Sequence, residues 1–308
     1  MSEVATPGDT RPPAADAPYV RVPGGEQTFR DRARRLHALA AGHSLGGYLA
    51  LMARLAEGQA RAARALAGLV PPADEARAAR CIAEGRPVLP ASGWTRDPVW
   101  RQALDVILGH LSGEEPAREA VRELGVAPAA RLEEIAAGVL SGALECAHPA
   151  QAPLVAAALQ VYWNAMASRL DPGLFRPGDG PAGHCPVCGS APVASVVRNG
   201  GAEQGLRYLH CSLCDSEWNL PRVQCSNCSA TTDIDYYAVE EGSDAVKAES
   251  CAHCHSYLKQ MYMTSDPQVD PVADDLASLT LDMLMAERNC GRSGPNLLFV
   301  PGQERPAD

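Results

Sequence analysis

Four Cys-x-x-Cys pairs within residues 184–259 constrain the fold of this chain more than any other feature. They hold eight of the eleven cysteines, namely Cys185, Cys188, Cys211, Cys214, Cys225, Cys228, Cys251 and Cys254. Adding 40 to each of the first four numbers gives the second four, so the segment contains two copies of one unit. Two cysteines separated by two residues can bind one ion from a tight turn, and two such turns complete a tetrahedral site. The sequence therefore predicts two tetrathiolate metal sites, one in each copy.

Two segments typical of β-strands lie between the cysteine pairs of each copy. In the first copy they are residues 191–197 and 206–210, and Asn199-Gly200 between them predicts a hairpin turn. The second copy repeats the pattern at residues 234–239 and 245–248. This order is typical of a rubredoxin or zinc ribbon. Because units of this size bury too little apolar surface to fold alone, metal binding, worth about 10–16 kcal/mol in small zinc peptides, is the expected source of their order.

Residues 27–170 show helical periodicity without the alternation expected of strands. Phe29, Ala33 and Leu36 recur at helical spacing, and Asp97-Pro98 is typical of a helix start. Further helices are predicted at residues 45–69, 73–84, 116–124, 127–144 and 149–170. We therefore expect the N-terminal half to be an all-α bundle.

The predicted fold class is α plus small β: an N-terminal all-α bundle, two tandem rubredoxin/zinc-ribbon-like four-cysteine units and a C-terminal helix that starts at Asp270-Pro271. Prolines in the first residues and a dense run of glycine and proline after the bundle predict a disordered leader and a linker. The predicted boundaries are 1–26 for the leader, 27–170 for the helical domain, 171–183 for the linker, 184–222 and 223–265 for the two ribbons, and 266–308 for the C-terminal helix and tail.

The charge and hydropathy of the chain predict a cytoplasmic protein without membrane insertion. Residues 1–26 lack an apolar export signal, and no segment has the roughly eighteen continuous apolar residues of a membrane span. In a reducing compartment, paired cysteines bind metal or cycle between redox states rather than form structural disulfides. A homodimer is compatible with the sequence.

Nucleic-acid binding, a frequent role of zinc ribbons, is disfavoured by charge. Residues 184–265 contain five basic and nine acidic residues, and the net charge of the chain is -10. Phosphate binding needs clustered positive charge. We therefore predict no nucleic-acid partner and keep a nucleic-acid-binding zinc ribbon as the weakest alternative.

One motif suggests catalysis, but its context does not support it. Residues 42–46 read Gly-His-Ser-Leu-Gly, the pattern of a hydrolase nucleophile elbow, yet no strand is predicted before them. We predict that Ser44 is instead the N-cap of the following helix. A site closed by four thiolates also lacks an open position for substrate. The sequence therefore predicts that the protein is not an enzyme.

Several other residues lie beside the cysteines. Because each four-thiolate set is already complete, we predict that four histidines lie on the surface of the cysteine turns and do not bind the ions: His184, His210, His253 and His255. Trp218 is predicted to cover the first metal site or the contact between the copies. The ligand type fits iron and zinc equally, and only iron would allow electron transfer.

The chain resembles the family of the formate dehydrogenase accessory protein FdhE. The resemblance depends on CPVCGSAPVASVV (185–197), GLRYLHCSLCDSEW (205–218), RVQCSNC (222–228), AVKAESCAHCHSYLK (245–259), DPVADDLASLTLDMLMAE (270–287), RSGPN (292–296) and, in the helical half, residues 29–59. It covers nearly all of the chain from residue 20 to residue 295. Departures are Ser229 and His255, where glycine is expected, and Asn219, where histidine is expected.

The resemblance implies a cytoplasmic helper that is needed for the activity of respiratory formate dehydrogenases exported by the twin-arginine route. Members of the family are expected to bind the catalytic subunit before export and to carry iron in the rubredoxin-like region. The eight cysteines would then be the iron ligands, with zinc as the other candidate metal. A rubredoxin-like electron carrier is the main alternative.

Overall fold

Helices form the first half of the computed structural model, and a sheet forms the region that contains the cysteine pairs. The structure describes residues 2–3, 17–71, 74–143, 149–178, 183–240 and 242–300. Within them the helices are α1 (Glu26–Ala40), α2 (Gly46–Ala65), α3 (Glu75–Ala83), α4 (Val99–Leu111), α5 (Arg118–Gly125), α6 (Ala129–Ser141), α7 (Ala152–Ala167), α8 (Pro271–Ala277) and α9 (Leu279–Glu287). The strands are β1 (Ser2–Glu3), β2 (Val20–Arg21), β3 (Pro192–Val197), β4 (Arg207–Cys211), β5 (Glu217–Asn219), β6 (Ile234–Ala238), β7 (Val246–Cys251), β8 (Ser256–Tyr262) and β9 (Gly291–Arg292). The predicted fold class is confirmed.

The helical half forms because each long helix has an apolar face to bury. In α1 the side chains predicted to share one face, Phe29, Ala33 and Leu36, are buried. Helix α4 begins after Asp97, whose carboxylate accepts a hydrogen bond from the Val99 amide at 2.9 Å. Helix α7 is the most apolar and is buried on nearly every side, where it packs against α2, α4 and α6.

Ser44 is not the N-cap that the sequence predicted. Helix α2 begins at Gly46, and no side chain caps its amides. The loop is closed instead by His43, whose Nδ1 accepts from the Leu45 amide at 3.0 Å. A Cβ on Gly46 would lie 2.6 Å from the Ala40 carbonyl oxygen, so close backbone packing requires this glycine. Backbone packing thus explains the last glycine of the hydrolase-like motif.

Both cysteine copies contribute to one sheet with the strand order β1-β6-β7-β8-β3-β4-β5-β2, and β9 pairs with β8. The copies join where β3 runs parallel to β8, with Ser195 opposite Gln260. The other pairs along this order are antiparallel. The sequence did not predict β5 or β8, which follow the second cysteine pair of each copy, and therefore did not predict that the copies join.

The hairpin turn predicted at Asn199-Gly200 is wrong. A longer loop connects β3 to β4 and contains a short 3-10 helix at Gly201–Glu203. The loop is closed by backbone bonds from Arg198 N to Leu206 O at 2.9 Å and from Gly205 N to Arg198 O at 3.0 Å. The strands therefore separate before they reach the Asn-Gly pair.

The single C-terminal helix predicted from Asp270 is two helices, α8 and α9, that meet at Ser278. Asp270 caps α8 as predicted, since its side chain accepts from two backbone amides of the first turn. A side chain of β8 lies at the break. The buried Lys259 ammonium donates to the carbonyl oxygens of Asp275 and Ser278 at 2.9 and 3.0 Å, so these acceptors are used by a side chain.

Part of the predicted disordered leader is ordered. Strand β2 pairs antiparallel with β5, with Val20 opposite Trp218, and Val20 is fully buried. Residues 1 and 4–16 lie outside the described residues, and disorder there stays a prediction.

A single hydrophobic core extends from the bundle into the sheet. It includes Phe29 and Trp163 of the helices, Cys185 and Trp218 of the first cysteine copy, and Leu298 of the C-terminal segment. Because this core spans the bundle and the sheet, it does not mark where one predicted domain ends and the next begins, and the predicted boundaries stay predictions. Among the described helices, none combines the length and the apolar character that a membrane crossing requires.

Candidate metal centres

The eight cysteines form two groups of four, which we call the first quartet (Cys185, Cys188, Cys211, Cys214) and the second quartet (Cys225, Cys228, Cys251, Cys254). Within each quartet the four sulfur atoms lie within 4.8 Å of one another. The closest sulfur pairs are 3.3 and 3.6 Å apart in the first quartet and 3.6 Å apart in the second.

These distances fit a bound ion better than a disulfide. Four metal–sulfur bonds of about 2.3 Å in a tetrahedron place neighbouring sulfurs about 3.8 Å apart. A disulfide would need a sulfur–sulfur distance of about 2.05 Å. Each quartet could therefore hold one metal ion, as the spacing of the sequence predicted.

Backbone amides support the thiolate form. Cys211 Sγ accepts hydrogen bonds from the amides of Leu213 and Cys214, both at 3.4 Å. Cys225 Sγ has the equivalent bonds from Asn227 and Cys228 at 3.4 and 3.5 Å. Amides that point at a sulfur favour its negative charge, which a metal ligand needs.

A residue with left-handed backbone follows each cysteine pair. Gly189, Asp215, Ser229 and His255 have φ values of 78°, 59°, 64° and 52°. This conformation lets the chain turn back after the second cysteine, and glycine adopts it most easily. The left-handed backbone explains why glycine is expected at positions 229 and 255. Ser229 and His255 adopt the same turn although each has a side chain.

A serine hydroxyl lies next to the last cysteine of each quartet. Ser216 Oγ is 3.3 Å from Cys214 Sγ, and Ser256 Oγ is 2.9 Å from Cys254 Sγ. Burial raises the pKa of the Cys254 thiol, but hydrogen bonds from Ser256 and Asn227 outweigh it and lower the pKa to about 6. The hydrogen bond from Ser256 thus favours the thiolate form of Cys254 that a metal ligand needs.

The helical half holds the first quartet in place through backbone bonds. The amides of Leu89 and Ala91 donate to the carbonyl oxygens of Val187 and Cys188 at 2.8 and 2.9 Å. Trp163 of α7 in turn donates from Nε1 to the Leu89 carbonyl at 2.9 Å. The first cysteine turn is therefore anchored to the bundle by a segment that lies outside its own copy.

Side chains from two helices anchor the other turn of the first quartet. Arg32 of α1 forms a buried ion pair with Asp215 at 2.7 Å, and Asn164 of α7 donates to the same carboxylate at 2.9 Å. Gln160, one turn before Asn164, donates to the Ser212 carbonyl oxygen at 2.8 Å. Asp215 directly follows Cys214, so these contacts lie beside the cysteine turn itself.

His210 is buried, contrary to the prediction that it lies on the surface. Its ring nitrogens face Glu217 at 3.1 Å and Asp215 at 3.3 Å. Burial lowers the pKa of His210, but hydrogen bonds to Asp215 and Glu217 outweigh it and raise the pKa to about 9. His210 is therefore a buried cation that joins two carboxylates, and it does not belong to either sulfur group.

The other three histidines lie on the surface, as predicted. His184, His253 and His255 are exposed, and His253 lies 3.1 Å from the Asp233 carboxylate. Neither quartet includes a histidine among the residues described. Trp218 is buried in β5 opposite Leu209, two strands away from the junction of the copies, and its role in covering the first metal site or the contact between the copies stays a prediction.

The sequence analysis did not identify three residues that anchor the first quartet, although each of them is a polar residue on an apolar helix face. Arg32 lies between Phe29 and Leu36 on the buried face of α1. Gln160 and Asn164 are four residues apart in a helix that is otherwise almost entirely apolar. Polar side chains on a buried helix face need specific partners, and such positions therefore indicate a buried hydrogen-bond network.

Comparison with known families agrees with this arrangement. The family models described as FdhE N-terminal, FdhE central domain and FdhE C-terminal domain match residues 17–178, 184–222 and 223–299. The chain belongs to the FdhE family. A Protein FdhE homolog from Edwardsiella ictaluri is 41% identical over 92% of this chain and 91% of its own length. Another from Pseudomonas putida is 38% identical over 98% of this chain and 96% of its own length.

A solved structure of the FdhE family has the same fold. The crystal structure of the FdhE protein from Pseudomonas aeruginosa matches with a TM-score of 0.82 at 35% identity, and the match covers 93% of this chain and 100% of that one. The family inferred from the cysteine segments is therefore confirmed.

The chemistry open to a quartet follows from its ligands. Four thiolates complete a tetrahedral shell, so no coordination position is left for a substrate. Zinc in such a site would hold the fold together, and iron would do so and could also gain and lose an electron.

Proposed function

We propose that this FdhE-family protein is an accessory protein of formate dehydrogenase. It acts in the cytoplasm, binds the catalytic subunit before that subunit is exported, and carries iron in two tetrathiolate sites. The observation that carries the proposal is the grouping of eight cysteines into two closed quartets in a chain that matches the FdhE family over most of its length. All eight cysteines are proposed as ligands.

A helper role fits these sites better than catalysis. Each quartet supplies four thiolates and no free position for a reacting group. The serine of the hydrolase-like motif lies in a loop before α2 that is closed by His43, and the element directly before this loop is the helix α1 rather than a strand. The protein therefore acts by binding its client rather than by converting a substrate.

We propose different roles for the helical domain and for the two ribbons. The helical domain, residues 27–170, supplies a docking surface for the catalytic subunit. The two ribbons, residues 184–222 and 223–265, either pass redox equivalents or serve as a second docking face. Electron transfer to a partner is the alternative function, and the exposure of Cys228 in the second quartet favours it, because an iron site needs such an approach.

Protein purified without air tests the metal. We expect about two ions per chain, with the visible absorption of ferric thiolate that bleaches on reduction. A colourless protein with two zinc ions would refute the iron proposal and the electron-carrier alternative together, and would leave the accessory role intact.

A deletion strain tests the accessory role. We expect loss of formate dehydrogenase activity, restored by the wild-type chain and by Cys290→Ser but not by Cys225→Ser. Cys290 is the matched control because it lies outside both quartets. The wild-type chain should also co-purify with the formate dehydrogenase catalytic subunit. Full activity in the deletion strain would refute the helper role.

A further inference from the structure

We infer that the two quartets have different tasks: the first is a permanent structural site, and the second is the site that exchanges its ion with the surroundings. The inference rests on the proposed metal binding and adds a role for each quartet.

The core encloses both cysteine turns of the first quartet. Its four cysteines are all buried, with exposed fractions of 0 or 1%. The tips of its two turns are apolar and also buried, since Val187 is 0% exposed and Leu213 is 1% exposed. The four cysteines therefore offer almost no exposed surface to an incoming ligand while these tips stay in the core.

The same turns are bonded to the helical bundle. Leu89 and Ala91 bond to the first turn through the backbone, and Arg32 and Asn164 bond to Asp215 after the second turn. Opening the first quartet would break these buried bonds as well as the metal–sulfur bonds. Release of its ion is therefore coupled to separation of the bundle from the sheet.

The second quartet is more open, although Cys225 and Cys251 are buried. Cys228 is exposed and Cys254 is half-buried. The positions that correspond to Val187 and Leu213 are Asn227 and His253, which are polar and exposed. The left-handed residues of the two turns, Ser229 and His255, are exposed as well.

Within the described part of the chain, Asn227 and His253 at these tips stay exposed and are not covered by the bundle helices. From outside its own copy, the second quartet is contacted by β9, where the Gly291 amide donates to the His255 carbonyl oxygen at 2.7 Å, and by Gly183, whose backbone lies against the Ser226 carbonyl oxygen. A competing ligand can approach the Cys228 edge after a small movement of one turn. Because a local opening requires less free energy than separation of a core, this quartet should exchange its ion much faster.

Cobalt is a suitable probe because tetrahedral thiolate coordination gives it visible absorption bands. The full chain is loaded anaerobically with Co²⁺ and then mixed with excess EDTA. We expect two phases of equal amplitude, with one ion lost at least about tenfold faster than the other. Brief alkylation with iodoacetamide during the fast phase, followed by peptide mass spectrometry, should label Cys225, Cys228, Cys251 and Cys254 before the first quartet.

Two variants assign the phases. Cys228→Ser should abolish the fast phase and keep the slow one, and Cys290→Ser should keep both. A single rate for both ions, or labelling of Cys185 to Cys214 first, would overturn the inference. Failure of both quartets to bind Co²⁺ would overturn it together with the proposed metal sites. Two phases in a protein that does not bind the formate dehydrogenase subunit would refute only the accessory role.

Discussion

Arg32 of α1 and Asp215 of the second cysteine turn form an ion pair of 2.7 Å in which both side chains are completely buried. The pair joins residues that are 183 positions apart in the chain. It fixes the helical half against the turn that contributes Cys214, and it explains why the first quartet belongs to the core of the protein.

Removing Arg32 should therefore destabilise the protein strongly. Arg32→Met removes one of the two buried cations that face Asp215, the other being His210, and the loss of a buried charge partner typically costs about 3–5 kcal/mol. The matched control is Arg34→Met, because Arg34 is 74% exposed and pairs with the exposed Asp31. Loss of that pair should cost at most about 1 kcal/mol. Urea unfolding measures both, and equal losses would contradict the role given to the buried pair.

The buried His210 should make stability depend on pH above neutrality. Its pKa is raised to about 9 from 6.5, so its contribution is fully present below about 6.5 and is lost as pH rises through 9. The pKa of Asp215 is lowered to about 2 from 3.8; burial raises it, but the Arg32 charge and the His210 contacts outweigh that effect. The Asp215 contribution is present above about 3.8 and is lost as pH falls through 2.

Thermal melting between pH 6 and pH 10 tests this sign. We expect the melting temperature of the wild type to fall between about pH 6.5 and pH 9.5, with a loss on the order of 3 kcal/mol from the raised pKa. His210→Asn should flatten this part of the curve, and His253→Asn, at an exposed position, should keep it. A wild-type curve that is flat over this range would refute the buried imidazolium.

Loss of one cysteine ligand from the second quartet should loosen only the second copy. Loss of one from the first quartet should also loosen the segment of the helical half that is bonded to it. Cys225→Ser is expected to abolish the second site and to loosen residues 222–260 while the helical half stays folded. Cys188→Ser should also raise exchange at residues 87–91, because the Ala91 amide donates to the Cys188 carbonyl oxygen. Hydrogen exchange with mass spectrometry distinguishes the two patterns. A Cys225→Ser protein that melts like wild type with both ions retained would show that the ligand assignment is in error.

The left-handed turns give a stabilising substitution. Ser229 and His255 adopt positive φ with a side chain present, at φ 64° and 52°. Ser229→Gly and His255→Gly should raise the free energy of unfolding by up to about 1 kcal/mol, since the backbone strain of a Cβ is removed. Ser229→Ala keeps the Cβ and should bring no gain. If the glycine and alanine variants have the same stability, strain at this turn is negligible.

The two lysines of the chain form a matched pair for the C-terminal helices. Lys259 is buried, and its ammonium lies 3.2 Å from the Asp275 carboxylate in addition to its two carbonyl contacts. Lys259→Met removes one of the two cations that face the buried Asp275 carboxylate, the other being Arg292, and should cost about 3–5 kcal/mol. Lys247 lies over the Tyr262 ring at 5.2 Å, and Lys247→Met should cost about 1 kcal/mol or less. Chemical denaturation compares them, and similar losses would argue against the Lys259 network.

The sequence by itself determined the helical bundle, the two sulfur quartets and the family. These features depend on short spacing: apolar residues three and four apart predict a helix, and two cysteines per turn place two sulfurs together regardless of the rest of the fold. The capping by Asp270 and the left-handed residue after each cysteine pair also depend only on residues that are close together in the sequence.

Only the tertiary structure decided how the two copies differ. The copies have the same cysteine spacing, but the bundle covers one of them through Leu89, Arg32 and Asn164 and leaves Cys228 of the other exposed. The burial of His210 and the joining of β3 to β8 were likewise beyond prediction. Each depends on contacts between residues that are far apart in the chain, and no local spacing encodes which distant surface will cover a given turn.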